Sequence, residues 1–206
     1  KSPSGHEARK FCRCPGTPNG PKDILNPELK FDFEMPENVK MRSYNPTNKG
    51  HPKQIKKAVN AVLNAKKLVI YSGGGVVLSD TAEQLTHLVE SLNAPITNTL
   101  MGLGGIDGTH PNFVGMLGMH GSLEANKAMA GADVILALGV RFDDRVTNNV
   151  NKFCPNATIV HVDVDPTSIS KTIHAHVPVV GDLKTVFDQL QTEIDSSDIQ
   201  IDRAAQ

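Results

Sequence analysis

The chain has 206 residues, of which 39% are hydrophobic and 21% charged, and its net charge is −1 at pH 7. These values are typical of a globular chain that buries one ordinary core, and they exclude a strongly basic surface for nucleic acid or an anionic membrane. No apolar run approaches the roughly 20 residues of a membrane-spanning helix, and no signal peptide begins the sequence, so we expect a cytoplasmic location. Cys12, Cys14 and Cys154 lack zinc-type spacing, so we expect no metal site.

Residues 1–50 are interpreted as a linker, an irregular extension from a preceding domain, because prolines interrupt every possible helix. Within it, the alternation of apolar and polar residues over 29–34 is compatible with a short edge strand. Helical periodicity begins at His51 and predicts a surface helix over 51–67, with Ile55, Val59 and Val62 in its apolar stripe. We expect its lysines to form a solvated face.

Two predicted strands follow, and each leads into a glycine-rich loop. The strand over 68–71 runs into Ser72 and the glycines at 73–75, and the next helix is predicted over 80–93, with Asp80 and Glu83 as a capping box. The third glycine of a dinucleotide fingerprint is missing, so a phosphate-binding turn and a plain strand-to-helix turn both remain open. The second strand, over 95–99, is followed by a long loop that starts with the glycines of 100–105.

The stretch over 115–145 combines a glycine loop (115–121), a helix (122–130) with Ser122 as N-cap, a buried strand (133–139) and a charged turn (141–145). Loops that leave the carboxyl ends of parallel strands face one crevice, so we expect a ligand site there. An arginine suits a phosphate or carboxylate, although a solvated turn or internal ion pairs would also explain these charges. His120 has no acid beside it in sequence, and we do not expect it to be a general base.

The remaining elements are a short helix (146–153), a strand (158–165), a strand (177–180), a helix that starts at Leu183 and a polar tail (195–206). The strand over 158–165 ends in Asp163 and Asp165. These acids can accept hydrogen bonds from a ribose, or Asp165 can cap a helix ahead of Pro166. The two interpretations are compatible with each other. From the residues alone, the sequence predicts an α/β nucleotide-binding domain.

Five motifs resemble, in the same order, the central domain of the large catalytic subunit in the acetohydroxyacid synthase (acetolactate synthase) family. These motifs are Ser72–Gly75, Thr99–Gly104, Gly115–Gly121, Gly139–Arg145 and His161–Pro166. The resemblance covers about residues 21–190. It implies a three-layer, Rossmann-like α/β domain over 51–194, with a mainly parallel sheet of about six strands and helices on both faces.

The resemblance also implies a cofactor and a reaction. The cofactor on this domain is FAD, which takes no net redox part. The reaction condenses two 2-oxo acids, pyruvate with pyruvate or 2-oxobutanoate, in branched-chain amino-acid biosynthesis. The residues that the resemblance places at the FAD are Gly73, Gly74, Gly75, Thr99, Leu100, Met101, Met119, His120, Gly121, Gly139, Val140, Arg141, Asp143, Asp163, Val164, Ser168, Gly181 and Asp182. Met119, Asp144 and Arg145 match the substrate channel, where Arg145 would meet the carboxylate of the second substrate.

The implied partners are a second large subunit, a small regulatory subunit and flanking domains; neither nucleic acid nor a membrane is expected. Thiamine diphosphate and Mg²⁺ would be held by N- and C-terminal domains whose catalytic glutamate and Gly-Asp-Gly motif have no match here, so we expect no condensation by this chain alone. The alternatives are a central domain of a pyruvate oxidase-like enzyme or a non-catalytic nucleotide-binding module. A decarboxylase with an empty central domain is disfavoured by Arg141 and by the loop at 118–121.

Overall fold

The computed structural model describes residues 46–197. Its centre is a six-stranded sheet in the order β3-β2-β1-β4-β5-β6, in which every neighbouring pair is parallel. The strands are β1 (Leu68–Ser72), β2 (Ile96–Asn98), β3 (Phe113–Met116), β4 (Val134–Leu138), β5 (Thr158–Asp163) and β6 (Val177–Val180). The chain runs outward from β1 to β3 and then returns to the other side of β1, so the strand order reverses between β1 and β4. This sheet confirms the predicted fold class.

The helices are α1 (Pro52–Leu63), α2 (Gly74–Leu78), α3 (Ala82–Leu92), α4 (Leu123–Gly131), α5 (Asp144–Thr147) and α6 (Leu183–Asp195). Short 3₁₀ turns lie at Leu100–Gly102 and Val150–Lys152. None of the helices within residues 46–197 is long and apolar enough to cross a membrane. The interpretation of residues 1–45, including Cys12, Cys14 and the edge strand, lies outside the described residues, as does the tail from 198 onward.

Side chains that alternate along the strands build a core on each face of the sheet. Leu68 and Ile70 of β1 point to the face covered by α1, α3 and α6. Val69 and Tyr71 point to the other face, which is covered by α4 through Met129 and by the segments after β4 and β5. Each fully buried leucine or isoleucine stabilises the fold by about 1.5–3 kcal/mol. The two cores fix the strand ends that position the site.

The first and last helices of the described domain pack against each other. Gly50, just before α1, donates its N–H to Oε1 of Gln189 on α6 at 2.9 Å, and Nε2 of Gln189 donates back to the Gly50 carbonyl at 3.1 Å. Lys56 Nζ lies 3.9 Å from Glu193 Oε1. The apolar stripe of α1 is therefore buried against α6 and the sheet, while its lysines are exposed as predicted.

Helix α1 ends at Leu63, before the predicted end at residue 67. After the helix, the N–H groups of Lys66 and Lys67 each donate to the Asp133 carboxylate at 2.9 Å. This carboxylate, 66 residues beyond Lys67, holds the residues just before β1 beside the start of β4. The Ser122 N-cap of α4 is confirmed, since its Oγ accepts the N–H of Ala125 at 3.2 Å.

Five local features differ from the prediction. The Asp80–Glu83 capping box does not form, because Asp80 has a φ of 55° and α3 begins at Ala82 after Thr81. The glycines instead lead directly into α2, a helix that the sequence did not predict. The stretch over 113–116 is strand β3 rather than loop.

The predicted helix over 146–153 is split at Asn148, whose φ is 49°. Strand β5 ends at Asp163 instead of Asp165.

Candidate functional site

The carboxyl ends of four neighbouring strands lie side by side, and their backbones remain bonded for one residue beyond the strands. Gly73 N donates to Leu138 O at 3.0 Å, and Thr99 N donates to Ser72 O at 2.9 Å. Gly139 N donates to Val162 O at 2.9 Å. We call this the carboxyl edge: the segments 72–75, 98–102, 139–145 and 163–165, together with 117–121 after β3. It contains the reversal of strand order, where ligands bind in open parallel sheets.

Glycines let three of these segments touch backbone to backbone. A Cβ on Gly75 would lie 2.7 Å from the Cα of Gly139, and one on Gly102 would lie 2.6 Å from the Ser72 carbonyl oxygen. Gly139 itself has a φ of +59°. Packing within the chain therefore accounts for Gly75 and Gly102, whereas Gly74 is half-exposed and faces Met101.

A buried polar network fixes the turn after β2. Ser72 Oγ donates to Asn98 Oδ1 at 2.7 Å, and Asn98 Nδ2 donates to the Gly102 carbonyl at 3.0 Å. The resulting turn leaves Leu100 and Met101 70% and 73% exposed. Sequence reasoning gave no structural role to Ser72, which it noted only as part of a motif, or to Asn98, although polar residues at the ends of apolar strands were a usable signal.

The loop after β3 is held to the charged turn after β4. Met119 N donates to the Arg145 carbonyl at 3.1 Å, and Gly118 adopts a φ of +117° beside that carbonyl. Asn126 of α4 donates to the Gly118 carbonyl at 3.1 Å. The side chains of Met119 and His120 remain exposed. The structure thus brings the backbones of Met119 and Arg145 together, with Asp144 next to Arg145 in the chain.

The charged turn presents four exposed side chains around one buried ring. Arg141, Asp143, Asp144 and Arg145 are exposed, while Phe142 is 2% exposed and has a φ of 49°. Asp143 caps α5 by accepting the Arg145 N–H at 3.2 Å.

The Asp143 carboxyl group has a lowered pKa because the Asp144 side chain and the Arg145 N–H hydrogen-bond it and because Arg141 and Arg145 lie nearby. Among residues 46–197, no ion pair within 4 Å engages either arginine, so the internal ion-pair alternative has no support there.

Two acids at the carboxyl end of β5 have different environments. Asp163 is 8% exposed and accepts the Asp165 N–H at 2.9 Å; burial raises its pKa. Asp165 is exposed and accepts from the Thr167 N–H and hydroxyl, with Ser168 also within reach at 3.3 Å. Asp165 therefore caps a series of turns and not the predicted helix. Val164, between the two acids, is 53% exposed.

Gly181 and Asp182 follow β6 at the outer end of the sheet. Gly181 N donates to the Asp163 carbonyl at 3.1 Å, and a Cβ there would lie 2.8 Å from Val186 Cγ2. Asp182 caps α6 by accepting the Lys184 N–H at 2.9 Å. Both residues are thus explained by local structure, with no ligand required.

The carboxyl edge is an open surface of mixed chemistry. Exposed apolar side chains (Leu100, Met101, Met119 and Val164) lie on the same edge as two exposed arginines and a half-exposed glycine backbone. A concavity of about 630 Å³ lies between α3 and the loop at 104–108 and includes none of the predicted ligand residues. No group of three or more metal-ligating side chains occurs within the described part of the chain. A flat, partly apolar ligand with anionic groups suits the carboxyl edge.

Comparison with known proteins identifies relatives. The family model described as the central domain of thiamine pyrophosphate enzymes matches residues 55–190. The chain is 56% identical over 170 residues to the acetolactate synthase isozyme 3 large subunit of Escherichia coli strain K12. It is 55% identical over 170 residues to the acetolactate synthase large subunit of Buchnera aphidicola subsp. Acyrthosiphon pisum. It is 42% identical over 171 residues to the probable acetolactate synthase large subunit of Methanocaldococcus jannaschii.

Each of these alignments covers 82% of this chain, but only 29–30% of the relative. The chain therefore spans less than a third of the length of the relatives that it matches.

Proposed function

Because the chain belongs to the family of thiamine pyrophosphate enzyme central domains, we propose that it is the FAD-binding central domain of an acetolactate synthase large subunit. The five-motif resemblance is confirmed by the family match and by the relatives' names. These names favour this function over a pyruvate oxidase-like enzyme or a non-catalytic module. The observation that carries the proposal is the carboxyl edge, where glycine backbones, exposed apolar side chains and two arginines without an ion pair among the described residues lie together.

The groups that FAD carries match the residues of this edge. Arg141 offers a bidentate, permanently charged partner to a pyrophosphate. Leu100 and Met101 offer apolar surface to a flat ring, and the backbone of Gly74 is open to close approach. Asp163, at the end of β5, can accept hydrogen bonds from a ribose. As the resemblance implies, the bound flavin would take no net redox part, so these residues bind and orient it without moving electrons.

Substrate binding is proposed for the neighbouring part of the edge. Arg145 would hold the carboxylate of a 2-oxo acid, with Asp144 beside it. The Met119 N–H bond to the Arg145 carbonyl at 3.1 Å fixes the distance between the methionine and this arginine. Pyruvate would be condensed with pyruvate or 2-oxobutanoate at an active site completed by flanking domains that hold thiamine diphosphate and Mg²⁺. A second large subunit, a small regulatory subunit and a cytoplasmic location belong to the same proposal.

Titration of the purified chain with FAD, followed by flavin fluorescence and melting temperature, tests the proposal. We expect saturable binding that weakens about 10- to 100-fold in Arg141→Ala, as for loss of a charge-assisted hydrogen bond. Lys57→Ala, which removes an exposed charge from α1, should bind like the wild type. Absence of saturable binding, or equal affinity in Arg141→Ala, would contradict a flavin site at this edge.

A further inference from the structure

We propose that His161 is a positioning residue, which fixes the backbone of the charged turn and so directs Arg141 toward the ligand. This inference rests on the proposed flavin function. His161 lies on β5, away from the sequence segment that it holds, and its side chain is 0% exposed. It therefore acts without touching the ligand.

The carbonyl that His161 holds belongs to the residue directly before Arg141. His161 Nε2 lies 2.7 Å from the Val140 oxygen, 21 residues away in sequence. A carbonyl only accepts hydrogen bonds, so Nε2 must carry the proton. Since Val140 is 1% exposed, water cannot replace this donor without opening the core. The bond thus sets the peptide plane from which the Arg141 side chain leaves.

Aromatic packing holds the next residue of the turn. The Phe142 ring lies 5.2 Å from the His161 ring at 90° and 5.6 Å from the Tyr71 ring at 57°. His161 and Tyr71 both pair in register with Ala137 of β4, whose small side chain lies between them. Phe142 thus packs against both rings, and this packing stabilises a left-handed backbone (φ of 49°) that a phenylalanine rarely adopts.

The alternation of the turn follows from these two contacts. Val140 and Phe142 are buried, and Arg141 between them is exposed. With the residues on either side fixed, the backbone presents the guanidinium outward at the carboxyl edge.

The imidazole is suited to be a permanent donor. Its Nδ1 is buried with no hydrogen-bond partner among the described residues, so a second proton there would be buried without an acceptor. Burial also lowers the pKa of His161. The neutral ring with a proton on Nε2 is therefore the form that the structure accommodates, and proton transfer is not its role.

The central test compares His161→Leu with His161→Gln in the whole chain. Glutamine keeps an N–H donor at similar reach, whereas leucine keeps apolar volume and loses the donor. We expect FAD affinity to fall about tenfold in His161→Leu and to be largely restored in His161→Gln. Tyr71→Phe is the matched control, because the Tyr71 hydroxyl is buried without a partner among the described residues and its ring packs on the same phenylalanine. It should bind like the wild type.

Amide hydrogen exchange separates this inference from the flavin function. In the absence of FAD, His161→Leu should speed exchange over 139–145 while β1 and β4 stay protected, and His161→Gln should restore protection. If the wild type fails to bind FAD, the flavin proposal fails while the exchange result still decides the role of His161. Tight FAD binding and unchanged exchange in His161→Leu would overturn the positioning role.

A measurement on the unmodified chain covers the case in which His161→Leu does not fold. Nitrogen-15 NMR of labelled histidine reports which ring nitrogen carries the proton. We expect a neutral ring protonated at Nε2 near neutral pH. A proton on Nδ1 alone would overturn the proposal, because the Val140 carbonyl would then lack its donor.

Discussion

Replacing Gly75 by alanine tests the backbone contact that joins α2 to the turn after β4. In most helices this change stabilises, by about 1 kcal/mol. Here the new Cβ would lie 2.7 Å from the Gly139 Cα, about 0.7 Å inside ordinary contact. The two backbones are also joined by the bond from Gly75 N to Gly139 O at 3.2 Å, so neither can move away freely.

The expected magnitude follows from these opposing effects. Overpacking of this kind costs typically about 1–3 kcal/mol, and α2, a single five-residue turn, recovers less than the full helical gain. We therefore expect Gly75→Ala to lower the free energy of unfolding by about 1–2 kcal/mol. With a denaturant slope of about 2 kcal/mol/M, the urea midpoint should fall by roughly 0.5–1 M at unchanged slope.

Gly131→Ala is the matched control. Gly131 ends α4, and a Cβ there would meet nothing within 4 Å. This variant should be as stable as the wild type or more stable, by up to about 1 kcal/mol. A Gly75→Ala chain with an unchanged or raised urea midpoint would refute the reasoning, since it would show that the loops separate at no cost.

Two further predictions concern stability. Asp133→Ala should lower the free energy of unfolding in urea by about 1–2 kcal/mol, because the N–H groups of Lys66 and Lys67 lose their acceptor. The control Asp188→Ala, at an exposed acid of α6, should change stability by less than about 0.5 kcal/mol. Equal effects of the two variants would contradict a stabilising role of the Asp133 hydrogen bonds. Burial lowers the pKa of His161, so below its ordinary value of 6.5 the unfolded chain binds more protons and stability falls with decreasing pH. Through this range the free energy of unfolding from urea titrations should fall less steeply in His161→Gln than in the wild type. The two slopes should differ by at most about 1.4 kcal/mol per pH unit, and parallel pH profiles would contradict this assignment.

Elements with a strong local signal were predictable from the sequence. The continuous apolar runs of β1 and β4 are buried at every position, as expected for central parallel strands. The N-cap Ser122 needs only its own helix, and its prediction was right. β3 was missed because it is a half-buried edge strand that contains Gly115, held by a bond from Thr97 Oγ1 to the Gly115 carbonyl. That bond joins two strands and leaves no periodic trace in either.

The candidate site also has features that the sequence predicts and features that depend on contacts between distant segments. The glycine loops and the charged turn could be placed on one edge because parallel strands put all their carboxyl ends there. The hydrogen-bonding roles that give the edge its shape were not predicted: Ser72, Asn98 and His161 are buried, and each bonds to a different segment of the chain. Their side chains could not be assigned before the strand order was known.

The pairing of α1 with α6 has a consequence for synthesis of the protein. The bond between Gly50 and Gln189 joins residues that are 139 positions apart. At about 5–20 residues per second, a ribosome needs on the order of ten seconds to make that length of chain. Throughout this interval the apolar stripe of α1 lacks the helix that covers it in the finished domain, and only the sheet, whose strands are all made before α6, can bury part of it.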